Sequence, residues 1–127
     1  MRALVVDDSV PARRHAGQML AELGFEVYEA VHGEDALVAV QRLGPVEVVV
    51  LDWNMPYADG LWFLRAVRKD PGFREVLVLM ATGNSDMESV RQALTEGANE
   101  YMMKPFAKQD LQDKLQILGF DFSGADT

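Results

Sequence analysis

The residues with chemical capacity fall in four short clusters: Asp7-Asp8-Ser9, Asp52-Trp53-Asn54-Met55-Pro56, Ala81-Thr82-Gly83 and Lys104-Pro105-Phe106. Three carboxylates, a hydroxyl and an ammonium can together hold a divalent cation and handle an anionic group. Two carboxylates about 4 Å apart repel by roughly 4 kcal/mol at an effective dielectric near 20. If Asp7, Asp8 and Asp52 meet, positive charge must therefore sit among them. A hard cation suits the position, and Mg²⁺ takes one or two carboxylates while keeping several waters. Lys104 supplies a further charge opposite the acids. Read alone, Asp7-Asp8 also fits the start of a helix, where acids complement the macrodipole. Asp52, Thr82 and Lys104 at matching places shift the balance towards a metal.

Whether these groups meet depends on the elements that carry them. Short β-rich runs, Ala3–Val6, Glu26–Glu29, Val46–Leu51, Val76–Met80 and Glu100–Met103, alternate with amphipathic stretches. The first, third and fourth runs are nearly continuous in apolar character, the mark of interior strands covered on both faces. Ala12, Ala16, Met19, Leu20 and Leu23 lie on one helical face, and Leu37/Val40, Leu61/Leu64/Val67, Val90/Ala93/Leu94 and Leu111/Leu115/Leu118 repeat the spacing. Pro11 suits a first helical turn. Gly24, Gly44 and Gly97 stand where helices end, and Asp70-Pro71-Gly72 reads as a turn. Five β-α repeats predict a doubly wound α/β domain: a five-stranded parallel sheet with five helices on its two faces. In such a sheet the ligand site lies beyond the carboxyl ends of the strands, which is where the four clusters fall.

The chain has 127 residues, no cysteine and a net charge of −8 from 12 basic and 20 acidic side chains. That length predicts one domain, residues 1–120, with a C-terminal tail over 121–127 whose end, Ser123–Thr127, reads as frayed. Without cysteine there is no thiol nucleophile, disulfide or thiolate metal site, in keeping with a cytoplasmic setting. No apolar run approaches the roughly 18 residues of a membrane span, and the first residues lack a signal-peptide pattern. A pI near 4.6 argues against direct nucleic-acid binding.

The motifs Val-Asp-Asp-Ser, Leu-Asp-Trp-Asn-Met-Pro-x-x-Asp-Gly, Ala-Thr-Gly and Tyr-Met-Met-Lys-Pro-Phe resemble those of bacterial response-regulator receiver domains, particularly the single-domain chemotaxis type. The likeness runs from residue 2 to about residue 119. It implies the flavodoxin-like strand order 2-1-3-4-5 and a phosphorylation-activated switch in a two-component system. Asp52 would accept a phosphoryl group from a histidine kinase or phosphotransfer protein. Asp7, Asp8, Asp52 and the Asn54 carbonyl would hold Mg²⁺, leaving the Asn54 side chain to face attacking water. Lys104, before a commonly cis proline, and the Thr82 hydroxyl would bind phosphoryl oxygens. Tyr101 would change packing with Thr82, Asn54 and Asn84 would tune hydrolysis, and helix 4, strand 5 and helix 5 would present the changed surface to an effector protein. The chain would be a monomer or a weak phosphorylation-dependent dimer, and would catalyse only its own phosphorylation and dephosphorylation.

A phosphate shuttle in a multistep relay has nearly the same sequence. A Mg²⁺-dependent phosphatase of the aspartyl-phosphate type would want an acid at Asn54 and a cap that this length does not supply. A flavin protein would want a Ser/Thr/Gly-rich loop after the first strand, and a phosphorylation-dead module would not fill every reactive position. His15 and His32 read as surface residues. Met19, Met80, Met87, Met102 and Met103 read as core filler, and Trp62 lies off the Leu61/Leu64 face.

Overall fold

A computed structural model describes residues 1–83 and 87–122; Asn84 and the Ser123–Thr127 end lie outside them. Five strands, β1 (Arg2–Val6), β2 (Glu26–Ala30), β3 (Val48–Asp52), β4 (Leu77–Thr82) and β5 (Glu100–Met103), alternate with five helices, α1 (Val10–Glu22), α2 (Gly33–Leu43), α3 (Asp59–Lys69), α4 (Met87–Glu96) and α5 (Lys108–Ile117). All pairings are parallel, as the β-α repeats predict, and the order is β2-β1-β3-β4-β5, as the resemblance implies.

Side-chain alternation along the strands divides the core into two layers. Leu4, Val6, Val49, Leu51, Val78 and Met80 point to one face, against Ala36 and Val40 of α2, Phe63, Leu64 and Val67 of α3, and Ala93 of α4. Ala3, Val5, Val48, Val50, Leu79 and Ala81 point to the other, against Ala16, Met19 and Leu20 of α1 and Leu111 and Leu115 of α5. Every residue of β3 is buried, whereas the edge strands β2 and β5 are partly exposed. The continuous apolar runs are therefore the interior strands.

Several local details differ from the pattern. Val46 and Val76 precede their strands but are buried in the same layer as Val49 and Val78, because packing into the core favours apolar residues as much as a ladder does. On α3 the buried stripe is Gly60, Phe63, Leu64 and Val67, and on α4 Val90 and Ala93 face inward while Leu94 is exposed. Met19, Met80 and Met102 are core residues; Met87 and Met103 are exposed. Gly24, Gly44 and Gly97 all have positive φ, as their places after α1, α2 and α4 require. Asp70-Pro71-Gly72 opens a single 3₁₀ turn capped by the Asp70 carboxylate.

Candidate phosphorylation site

Strand register builds the site. Val6 pairs with Leu51, Asp52 with Ala81 and Thr82 with Met103, so the next residues out, Asp7 and Lys104, share one rim with Asp52 and Thr82. Backbone bonds carry the ladders a step further: Asp7 N–H donates to Ala30 O, Trp53 N–H to Ala81 O and Lys104 N–H to Thr82 O. Gly60, at the start of α3, lies so near the end of β3 that an added Cβ would stand 3.0 Å from the Asp52 carbonyl oxygen. A side chain there would push against the end of β3 that carries Asp52.

Asp7, Asp52 and Thr82 are buried, and Asp8 is exposed at the outer edge. The three aspartates can each offer an oxygen, all within 4.8 Å of one another. The Lys104 ammonium donates to Asp52 Oδ1 at 3.0 Å and to Asp7 Oδ2 at 3.1 Å. Asn54 N–H also donates to Asp52 Oδ1, and Ser9 N–H to Asp7 Oδ1. Among the described residues no donor reaches Asp52 Oδ2, yet no buried side-chain polar atom is left without a partner. Oδ2 therefore keeps a small contact with solvent, within a side chain that is only 5% exposed.

Burial pushes the Asp52 carboxyl above its ordinary range, and the Lys104 and Asn54 hydrogen bonds offset this only in part. Burial works against the Lys104 charge too, but bonds and attraction to Asp52 and then Asp7 outweigh it and hold the ammonium above its ordinary value. Three carboxylates and one ammonium leave about two negative charges, which a divalent cation would balance. Hard oxygen donors in this number fit Mg²⁺.

The Asn54 side chain does not stand free towards the site. Its Oδ1 accepts from the Thr82 hydroxyl at 3.0 Å and from Gly83 N–H at 2.7 Å, tying the end of β3 to the loop after β4. The Lys104–Pro105 bond is cis. Tyr101 is half-buried against the α2/α3/α4 layer, with Lys114 Nζ 4.8 Å from its ring centroid. A cavity of about 390 Å³ opens beside Asp52 and Lys104, walled by Ala12, His15 and Ala16 of α1 and by Pro105 and Phe106. His15 is thus exposed but beside the site, a placement that periodicity does not reveal. His32 is also exposed and caps α2.

An acid trio, an ammonium and a hydroxyl at the carboxyl edge of a 2-1-3-4-5 sheet define a class of domain, and residues 3–116 match the model of the response regulator receiver domain. The chain belongs to that family. It is 40% identical over 119 residues to the chemotaxis protein CheY1 of Helicobacter pylori, spanning 93% of this chain and 96% of that protein. It is 38% identical over 121 residues to a CheY homologue of Campylobacter jejuni, spanning 94% and 93%. Among solved structures, chemotaxis protein CheY4 of Vibrio cholerae superposes with a TM-score of 0.85 at 32% identity, over 91% of this chain and 96% of that one.

Proposed function

We propose that the protein is a phosphorylation-activated switch of a two-component system, acting in the cytoplasm and of the chemotaxis kind. What carries this reading is the Asp52 carboxylate: buried, bonded to Lys104 through Oδ1, with Oδ2 left unbonded and just reached by solvent, and close to Asp7 and Asp8. Oδ2 attacks the phosphorus of a phosphohistidine on a histidine kinase or phosphotransfer protein. A P–O bond forms, the P–N bond breaks, and its electron pair stays on the imidazole nitrogen, which takes up a proton. Asp7, Asp8, Asp52 and the Asn54 carbonyl hold Mg²⁺, which when bound neutralises charge developing on the transferred group.

Lys104 leaves the carboxylates for a phosphoryl oxygen, and the Thr82 hydroxyl donates to another. The shift of Thr82 biases the packing of Tyr101, and the α4–β5–α5 face changes for an effector protein. Asn54 and Asn84 set how quickly water removes the group. The only reaction the chain catalyses is gain and loss of its own phosphoryl group. The similarity to CheY proteins over most of both chains supports the chemotaxis setting.

The test is intact-mass measurement with acetyl phosphate and Mg²⁺. The wild type should gain one phosphoryl group and Asp52→Asn none; equal labelling of both would refute Asp52 as the acceptor. Chelation of Mg²⁺ should abolish the labelling.

A further inference from the structure

Tyr57 is the one non-glycine residue with positive φ among the described residues, at φ 62° and ψ 28°, and its side chain is fully exposed. A left-handed backbone favours glycine or asparagine, and a bulky side chain there is an outlier. The ring recovers nothing by burial. Strain held without packing in return points to use by something outside the chain.

Trp62, one turn into α3, is 45% exposed and lines the same notch of about 540 Å³. The Trp62 ring is placed by Gly33 at the start of α2: a Cβ there would stand 3.1 Å from Trp62 Cε3 and 2.8 Å from the Asp59 carbonyl oxygen. Asp59 also accepts the Gly33 N–H through Oδ2, locking α3 to the N-terminus of α2. Val31, 41% exposed, and Pro56 complete the apolar wall.

Among the described residues, the charged groups lining the notch are Asp8, Glu34 and Asp59, no lysine or arginine lines it, and His32 is its one basic side chain. Two accessible aromatics among carboxylates suit a cation with a delocalised, weakly hydrated face, which arginine supplies better than lysine. Trp and Tyr are also the side chains that most often anchor interfaces. Because Asp8 belongs to both the notch and the acid trio, an occupant would sit at the rim of the phosphorylation site, on the α2–α3 side.

We propose that the Tyr57/Trp62 notch docks an arginine-bearing segment of a protein partner that engages the phosphorylation site. The partner's role in phosphotransfer rests on the function proposed above; the binding itself does not.

The probe is a short alanine-rich peptide with two arginines, titrated in the presence of Mg²⁺ while the Trp62 indole N–H is followed by NMR, with the glutamine-for-arginine peptide as control. The arginine peptide should shift this signal saturably and the control should not. Tyr57→Asn, which suits the left-handed backbone, and Trp62→Gln, at an exposed helix position, should each weaken binding by about five- to tenfold. Phosphorylation of both variants by acetyl phosphate should match wild type. An unmoved Trp62 signal, shifts spread over the whole acidic surface, or undiminished binding by both variants would overturn the proposal. Failure of acetyl phosphate to label Asp52 in the wild type would instead sink the phosphorylation reading and leave the peptide result standing.

Discussion

Lys104→Met removes the ammonium from Asp7 and Asp52 while keeping most of the volume of the side chain. Each contact near 3 Å corresponds to roughly 5 kcal/mol of gross attraction at an effective dielectric near 20, before the cost of drying the charge. Removing one member of a buried pair typically costs about 3–5 kcal/mol, because a charge is left without a partner. Lys104 keeps 27% of its side chain in solvent, and Asp52, already pushed up by burial, can relieve its charge by taking a proton. Both facts place the expectation at the low end, about 3 kcal/mol in metal-free buffer. With a denaturant slope typical of a small domain, that lowers the urea midpoint by on the order of 2 M. Saturating Mg²⁺ should restore most of the loss, since a cation then stands among the same oxygens. Equal destabilisation with and without Mg²⁺, or less than about 0.5 kcal/mol in chelator, would refute the view that lysine and metal compensate one acidic cluster.

Two further expectations follow from particular residues. Tyr57→Gly should stabilise the fold by about 0.5–1 kcal/mol, the relief of a left-handed tyrosine less the added freedom of glycine when unfolded; a lower melting temperature would contradict the strain. The pH dependence of the metal-free protein should show Asp52. Its folded pKa lies above the unfolded value, so its penalty is present above the folded pKa and is relieved as pH falls through it. Lys104, with a raised pKa, keeps its contribution throughout that range and loses it only as alkali carries pH through its folded value. The stability advantage of Asp52→Asn over wild type should therefore shrink between neutrality and the ordinary carboxylate range, and Mg²⁺ should flatten the difference. An advantage that stays constant as the acid range is crossed would count against the assignment.

Much of the frame was legible in the sequence, because a strand covered on both faces has little choice but to be apolar throughout. Val48–Leu51 and Val78–Met80 announce themselves in this way, and the residues at their ends inherit a place on the rim. The motifs supplied which groups stand there. Exposure was harder to read. Met87, Leu94 and Met103 are apolar by composition but lie outside the packed layers, and periodicity over three residues does not fix a helix's rotation well enough to tell Leu94 from Ala93. The engagement of Asn54 with Thr82 and Gly83 spans two strands and depends on a side-chain rotation that no local pattern encodes. The backbone twist at Tyr57 was hidden for the opposite reason: tyrosine is the wrong residue for it, so type and conformation disagree.

The Asn54 bridge has a consequence for how costly signalling is. Since the Thr82 hydroxyl already donates to an amide oxygen at rest, turning it towards an arriving anion exchanges one acceptor for another instead of creating a bond from nothing. Such a trade lowers the net gain from that one bond to the difference between a charge-assisted and a neutral acceptor, and narrows the free-energy gap between resting and activated arrangements. The domain would answer in graded fashion to how many copies carry phosphate, and relax as soon as the group departs.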